Sequence, residues 1–201
     1  MEIRKIQPAE YKKLAAIHEK VFPSFFMTSL GIGYLKDHYK ALLKYHDTIA
    51  FAAVDDGEFI GFVMGRADSK NGLKKVVKAY PLHFAFMAFK LMLTKPLSLI
   101  RVVKNLSKVS KDKDVHDDQH YAEIGLIGVC PGIKGKGIGH GLFKAFCEEA
   151  KKQGASRISL TTDEHDNELV LKAYDNWGFK EYYKFISYPD RQMVRLIKSI
   201  D

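Results

Sequence analysis

Glycines and lysines alternate at the start of a predicted helix, directly after an apolar run. They are Lys134, Gly135, Lys136, Gly137, Gly139 and Gly141. A helix N-terminus presents unpaired backbone N–H groups and about half a positive charge, so it attracts phosphate. Glycines let an oxyanion approach the backbone closely. The spacing therefore predicts a phosphate-binding loop, with a plain strand-to-helix turn as the alternative.

The residues of this loop exclude two nucleotide-binding motifs. A P-loop needs Lys and then Ser or Thr after its last glycine, whereas Gly137 is followed by Ile138 and Gly139. The dinucleotide fingerprint GxGxxG fails because the third required position after Gly137 holds His140. The expected ligand carries phosphate but is neither a nucleoside triphosphate nor NAD.

Two motifs, in this order, resemble those of the GNAT superfamily of acyl-CoA-dependent N-acetyltransferases. The pyrophosphate loop of that family has the pattern Q/R-x-x-G-x-G/A, which residues 134–139 match with Lys134 in the first place. The second motif, N-x-x-x-x-x-x-Y-x-x-x-G-F, is met by Asn167, Tyr174, Gly178 and Phe179. The resemblance covers residues 121–186 by motif and residues 1–66 by the order of elements.

The resemblance implies acetyl-CoA as cosubstrate and no metal. In the family the pantetheine arm lies where two neighbouring strands separate at a bulge, and it bonds to the backbone of the first strand. Here that backbone is residues 127–129, with the N–H of Ile127 directed at the acetyl carbonyl. The expected cofactor-binding residues are Ile127, Gly128, Val129, Lys134, Gly135, Lys136, Gly137, Ile138, Gly139, Asn167 and Tyr174. Gly125 and Gly128 suit a bulged strand, or a simple packing need.

Tyr174 is the candidate general acid. A phenol with a pKa near 10 stays protonated at neutral pH, and it can hydrogen-bond to the CoA sulfur or protonate it. Tyr174 follows Asn167 by seven residues, two helical turns along and on roughly the same face. A core tyrosine is the alternative, and Asn167 could also cap the helix.

Glu123 is the candidate general base. It lies early in its strand, where histone-type members of the family carry a Glu that activates the amine through water. An exposed strand carboxylate is the alternative, and His120, Asp163 and His165 are rivals near strand ends. Cys130 could be a nucleophile, but no His is placed by sequence to activate it and direct transfer needs no acyl-enzyme. A small buried thiol is therefore favoured.

The predicted elements that position these residues form a mixed α/β sheet. Helices are expected after Pro8 and around 35–43, 137–152 and 168–177, and the strands are "MEIRKI", "TIAFAAV", "FIGFVMG", 121–130, 157–163, 179–186 and 192–199. Asp55-Asp56-Gly57 predicts a tight hairpin. The order of strands and helices indicates helices packed on one mixed sheet. The resemblance implies a single GNAT domain over 1–201, with the sheet splayed between the family's fourth and fifth strands.

The positive charge of the chain is concentrated in one segment. The chain has 32 basic and 24 acidic residues, and ten basic but no acidic residues lie between Lys70 and Lys111, so the remainder carries a net charge of −2. This distribution does not favour nucleic-acid binding by the whole protein. Residues 67–119 are expected to be an insertion with two apolar helices and a polar loop. It could be a lid for the acceptor, a dimer or partner surface, or a surface lying on an anionic membrane.

The expected activity is transfer of acetyl from acetyl-CoA to a primary amine of a small molecule, an amino sugar among the candidates, in a ternary complex. A protein N-terminal or lysine acetyltransferase and a non-catalytic acyl-CoA-binding module are the alternatives. The N-terminus lacks the apolar stretch of a signal peptide, and two cysteines make no disulfide framework. A cytoplasmic location is expected.

Overall fold

The computed structural model describes residues 1–70, 72–107, 109–111, 117–133, 136–187 and 190–200; for residues 103–107 and 109–111 it describes the backbone alone. The strands are β1 Glu2–Lys5, β2 Thr48–Asp55, β3 Glu58–Arg66, β4 Val109–Lys111, β5 Ala122–Val129, β6 Arg157–Asp163, β7 Lys180–Ser187 and β8 Arg191–Ser199. The helices are α1 Tyr11–Val21, α2 Phe26–Ser29, α3 Ile32–Leu42, α4 Gly72–Ala79, α5 Pro81–Thr94, α6 Pro96–Ser107, α7 Ile138–Lys152 and α8 Glu168–Asn176. A 3-10 turn at Pro8–Glu10 precedes α1.

The described strands form one sheet in the order β1-β2-β3-β5-β6-β8-β7-β4. β5 and β6 run parallel, and every other neighbouring pair is antiparallel. A parallel pair needs a crossover connection, and α7 supplies it between β5 and β6. The prediction of a mixed α/β sheet is confirmed.

Apolar side chains are buried on both faces of the sheet. One layer lies under α7 and α8, and the other lies under α1 and α3. β2 contributes to both, since Ile49 and Ala53 belong to the first layer while Ala50 and Ala52 belong to the second. A strand covered on both faces is apolar along its length rather than alternating. This explains the unbroken run "TIAFAAV".

The hairpin between β2 and β3 forms as the sequence predicts. β2 ends at Asp55 and β3 begins at Glu58, which leaves a two-residue turn. Asp56 and Gly57 have φ values of 48° and 78°. Two consecutive left-handed residues are the requirement of a type I′ turn, which Asp-Gly sequences favour.

Three short elements, α2, α4 and β4, were not predicted from the sequence. α2 has four residues, too few to display a helical period. β4 has three residues and pairs with β7 at the edge of the sheet, far along the chain. Local sequence patterns do not show such a distant pairing.

Helices α4, α5 and α6 lie between β3 and β5, within the predicted insertion. Val76 of α4 belongs to the apolar layer under α1 and α3, and Met87 and Leu91 of α5 are also buried. No single helix in the described residues is long and apolar enough to cross a membrane. α4 and α5 meet that test of length and composition only together, and they are bent by 101°.

Candidate active site

The parallel strands β5 and β6 separate part of the way along their length. Their pairing covers three residues and ends where Ile124 meets Leu160. Residues 126–129 continue to pair with β3 on their other side, but they have no partner in β6. The backbone on that side of Ile127, Gly128 and Val129 therefore lines a gap in the sheet. This is the splay expected of the fold.

A β-bulge lies where the gap begins. Leu126 pairs with Met64 and Ile124 pairs with Gly65, so the register skips Gly125. A β-carbon on Gly65 would lie 2.0 Å from the carbonyl oxygen of Glu123, whereas one on Gly125 would come no nearer than 3.6 Å to another residue. The glycine that the bulge requires is therefore Gly65, which the sequence analysis did not single out. The bulge re-aims the strand beside the gap.

Close packing explains why residue 128 is a glycine. A β-carbon there would lie 2.4 Å from Val21 and 2.9 Å from Phe22, at the end of α1. The close approach brings α1 against β5 beside the bulge. The packing alternative of the sequence analysis thus holds for Gly128.

The N-terminus of α7 presents backbone donors. Its N-cap Gly137 has φ 71°, a left-handed conformation that favours glycine. The N–H of Gly141 donates to the Gly137 carbonyl, so the N–H groups of residues 138–140 have no helical acceptor, and no side chain caps them. Such a terminus suits a phosphate. Lys134 and Gly135, also predicted to bind the cofactor, lie outside the described residues.

Reversal of one charge tests the phosphate site. Lys136 is exposed beside the start of α7, and Lys144 is exposed further along the same helix. Lys136→Glu is expected to weaken CoA binding about tenfold, or about 1.4 kcal/mol, because it replaces attraction of the pyrophosphate with repulsion. Lys144→Glu makes the same change more than about 8 Å away, where salt screens it. Calorimetry showing equal CoA affinities for the two variants would place the phosphates elsewhere.

Tyr174 is buried in the apolar layer under α7 and α8. Its side chain is 9% exposed, and its ring meets the edges of Trp177 and Phe179 at centroid distances of 5.6 and 5.7 Å. Ile127 and Val129, which line the gap, pack against the same layer. Among the described residues no group hydrogen-bonds to the Tyr174 hydroxyl. The hydroxyl is therefore available to a ligand.

Burial raises the pKa of Tyr174 to about 12. A CoA thiol resembles a cysteine thiol, whose pKa is about 8.5, so full proton transfer from this phenol to the thiolate is unfavourable by roughly 5 kcal/mol. A charge-assisted hydrogen bond to the sulfur has no such cost. The hydroxyl suits a donor that stabilises the leaving thiolate while keeping its own proton.

Asn167 is the N-cap residue of α8, although its side chain makes no capping hydrogen bond. Instead its amide donates to the hydroxyl of Thr162 at 2.7 Å and to the carbonyl of Asp163 at 3.0 Å. These bonds tie the start of α8 to the end of β6. They hold the amide at the far wall of the gap.

Glu123 lies between two guanidinium groups. Arg66 donates to one carboxylate oxygen at 2.6 Å, and Arg195 donates to the other at 3.1 Å. The Glu123 side chain is only 18% exposed, so it is not the exposed strand carboxylate of the alternative. A carboxylate accepts about four hydrogen bonds, so two positions remain for water. The structure therefore shows Glu123 as the counter-ion of two arginines. Its role as general base stays a prediction.

Arg195 extends this charge network. Its guanidinium also donates to the hydroxyl of Ser159 at 3.1 Å and lies over the rings of Tyr121 and Tyr183 at 5.3 and 5.8 Å. Burial alone would lower the pKa of Arg195, but Glu123 and the two tyrosines raise it above the ordinary arginine value. The arginine therefore stays charged and needs its carboxylate partner.

The rival residues lie in other settings. His120 is exposed, and its carbonyl accepts from Arg157. Asp163 forms an ion pair with Arg191, and His165 hydrogen-bonds with Gln192 at 2.6 Å. Cys130 is a free thiol that is only half-buried, so it is more exposed than the buried thiol favoured from the sequence. Within the described residues, none of these four forms a hydrogen bond or an ion pair with Glu123.

A cavity of about 180 Å³ opens beside the bulge, bounded by Gly65 and Gly125. Much of its lining is apolar and includes Phe25, Met27, Met64 and Leu126. The polar lining includes His38, Tyr39 and Arg66. Because Arg66 also binds Glu123, the cavity and the charge network share a side chain. No sequence spacing pointed to this cavity, since its walls come from α2, α3 and the three strands β2, β3 and β5.

Two neutral histidines lie near the cavity: His38 lines its wall, and His18 lies behind the wall against Tyr39. His38 is 8% exposed and stacks on Tyr34, and no described group pairs with its Nδ1. His18 is fully buried, and its Nδ1 lies 2.5 Å from the hydroxyl of Tyr39. Burial lowers the pKa of each histidine to about 4. Both imidazoles are therefore uncharged at neutral pH.

These pKa values make stability depend on pH. In the unfolded chain both histidines should titrate near pH 6.5, above their folded pKa of about 4. Between these values the unfolded state binds more protons, so the free energy of unfolding should fall as pH decreases, by up to about 1.4 kcal/mol per unit for each histidine. Chemical denaturation at a series of pH values measures the slope. His18→Asn should reduce the slope, and a slope equal to that of the wild type would contradict this origin.

The comparisons with known proteins agree with the fold. The family model described as the acetyltransferase (GNAT) family matches residues 14–179. This is well over half of the chain, and the chain therefore belongs to the GNAT acetyltransferase family. A search of curated protein sequences found no match.

Several solved structures share the architecture at low sequence identity. Aminoglycoside 6'-acetyltransferase type Ii has a TM-score of 0.63 at 16% identity, covering 100% of this chain and 98% of that one. A structure of aminoglycoside 6'-N-acetyltransferase complexed with coenzyme A has a TM-score of 0.62 at 15% identity, with the same coverage. Ribosomal-protein-alanine N-acetyltransferase from Brucella melitensis has a TM-score of 0.61 at 13% identity, covering 99% of both chains. At such identities the likeness shows the fold alone.

Proposed function

We propose that the protein transfers an acetyl group from acetyl-CoA to the primary amine of a small molecule, directly and within a ternary complex. The observation that carries the proposal is the gap between β5 and β6 beyond Ile124, which lies beside the uncapped N-terminus of α7. A gap with free backbone groups suits an extended amide-containing arm, and the helix terminus suits a pyrophosphate. A similar structure contains coenzyme A.

The cofactor assignments of the sequence analysis form part of this proposal. The pantetheine arm would bond to the backbone of residues 127–129 and to Asn167. The pyrophosphate would meet the N–H groups at residues 138–140, with Lys136 beside them. The Tyr174 hydroxyl would donate to the thioester sulfur. The N–H of Ile127 would stabilise the carbonyl oxygen as it becomes negative.

The acceptor would occupy the cavity beside the bulge, because that cavity reaches the β5 backbone at Gly125. The amine nitrogen attacks the thioester carbonyl, the new C–N bond forms, the C–S bond breaks, and the electron pair leaves with sulfur. Tyr174 stabilises that thiolate, and the amine proton passes through water to Glu123. A cavity of about 180 Å³ favours a small amine or the end of a larger one.

Two other functions stay open to test. A protein N-terminal or lysine acetyltransferase would use the same gap, and similar structures include enzymes named for a ribosomal protein substrate. A non-catalytic acyl-CoA-binding module would keep the gap but transfer nothing. A cytoplasmic location also remains a proposal, to which the free thiols of Cys130 and Cys147 are suited.

Release of free thiol from acetyl-CoA tests the proposal. The panel would contain an aminoglycoside, a simple amino sugar, apolar primary amines and a peptide with a free N-terminus. We expect amine-dependent thiol release with at least one small amine, and none above background with the peptide. Release with the peptide alone would favour the protein acetyltransferase. Binding of acetyl-CoA without release from any amine would favour the binding module.

A further inference from the structure

Helices α5 and α6 expose an unusual number of large apolar side chains. Seven of the eleven exposed large hydrophobic residues in the described part of the chain lie on them. The most exposed are Leu82, Leu97 and Leu93, at 85, 81 and 67%. Monomeric soluble proteins seldom expose such a concentration without a binding role. We call the surface formed by residues 82–101 the apolar surface.

α5 has two opposed apolar faces. Met87 and Leu91, four residues apart, are buried against the protein. Leu82, Phe86, Phe89 and Leu93 follow helical spacings of four, three and four residues, and all are exposed. Burial of the first face already attaches the helix to the protein. The apolar side chains of the second face are therefore not needed to hold α5 in the fold.

The apolar surface is held in place by contacts with neighbouring elements. Lys90 pairs with Asp37 at 2.9 Å, and Lys95 donates to the Ser29 carbonyl at 2.5 Å. The guanidinium of Arg101 lies 4.4 Å from the ring centroid of Phe26. These contacts fix α5 and α6 against α2 and α3 while their outer faces remain open.

The charged residues within the segment that carries the apolar surface all have one sign. The segment from Lys70 to Lys111 contains ten basic and no acidic residues, while the rest of the chain has a net charge of −2. Lys74 and Lys78 on α4, the helix that directly precedes α5, are exposed. Exposed leucines and phenylalanines flanked by lysines are the composition that binds at the interface of a bilayer with anionic headgroups.

Other occupants fit this surface less well. A symmetric dimer would bring the same cations of two copies together, because a twofold interface is self-complementary. Nucleic acid would match the charge but would leave the leucines and phenylalanines without partners. A lid over the acceptor would line the cavity, yet no described side chain of α4, α5 or α6 does. An anionic bilayer satisfies both the apolar side chains and the cations.

We infer that the apolar surface of α5 and α6, with the lysines of α4, docks the protein on the face of an anionic lipid bilayer. The helices lie in the interface and do not cross it, since α4 and α5 are bent by 101°. Apolar side chains enter the headgroup–acyl boundary, and the lysines meet lipid phosphates.

Sedimentation of the full chain with vesicles tests this inference. We expect binding to vesicles of phosphatidylcholine and phosphatidylglycerol in a two-to-one ratio, and at least tenfold weaker binding to phosphatidylcholine alone. At about 1 M NaCl, where the Debye length is about 3 Å, binding to the anionic vesicles should also fall. Absence of binding to the anionic vesicles would overturn the inference.

Paired variants identify the surface. Phe86→Ser with Leu93→Ser, and separately Lys74→Glu with Lys78→Glu, should each lower vesicle binding at least tenfold while circular dichroism stays unchanged. The control for the first is Leu169→Ser with Ile186→Ser, also at exposed positions, and the control for the second is Lys144→Glu with Lys151→Glu. Equal losses in test and control variants would overturn the assignment. So would a concentration-dependent dimer, seen by sedimentation velocity, that the first pair abolishes.

Discussion

Tyr174→Phe is expected to bind acetyl-CoA normally and to transfer the acetyl group roughly ten- to a hundredfold more slowly. The ring stays, so its contacts with Trp177 and Phe179 should persist and the variant should fold. The change removes only the hydroxyl assigned to the sulfur, a charge-assisted bond worth about 1.5–3 kcal/mol. A bond made mainly as the thiolate leaves should be lost from kcat rather than from KM. Initial rates with the best amine of the panel measure both constants.

The control for this variant is Tyr80→Phe. Tyr80 also donates a hydrogen bond, to the Lys44 carbonyl at 3.2 Å, but it lies outside the layer that contains Tyr174. Its variant should keep the wild-type rate. Turnover by Tyr174→Phe at the wild-type rate would show that another group or water stabilises the leaving thiolate. Joint loss of stability and cofactor binding would make Tyr174 a packing residue.

Glu123→Gln is expected to lower kcat on the order of a hundredfold, the effect of losing a general base, and to leave CoA affinity unchanged. It should also lower the free energy of unfolding, by about 3 kcal/mol, because the guanidinium groups of Arg66 and Arg195 lose their counter-ion in a largely buried setting. Thermal or chemical denaturation measures the second effect independently of turnover.

A double variant separates the two roles of Glu123. Glu123→Gln alone leaves the charges of Arg66 and Arg195 unpaired. The double variant Glu123→Gln with Arg66→Gln removes one of these charges, so it should be more stable than Glu123→Gln alone. The rate should stay low if Glu123 accepts the proton. A rate for Glu123→Gln within twofold of wild type across the pH profile would leave it as a counter-ion alone, and His120 would be the next residue to test.

The sequence predicted the features that depend on local patterns. The Asp-Gly turn, the apolar runs of β2 and β3, and the helix after the glycines all appear near the expected residues. Each depends on chemistry confined to a few neighbouring residues, such as left-handed φ at Asp56 and Gly57. The mixed sheet followed from the order of those elements, and the splay from the family resemblance.

The sequence did not predict features built from distant residues. Gly65 and Glu123 meet only because β3 pairs with β5, so the glycine that the bulge requires was missed. Arg66 and Arg195 lie 57 and 72 positions from Glu123 in the sequence, so the residues that neighbour Glu123 in the chain could not predict its ion pairs. The cavity combines α2 and α3 with β2, β3 and β5, and His38 gave no signal beyond its place on a helix.

The central claim is direct acetyl transfer, and intact mass spectrometry of the protein and the amine during turnover tests it most directly. The account predicts one added acetyl group, about 42 Da, on the amine product and an unmodified protein at every time point, because attack by the amine needs no acyl-enzyme. An acetylated protein that forms before product and is lost with Cys130→Ala would contradict direct transfer, and absence of any acetylated amine would contradict the proposed activity.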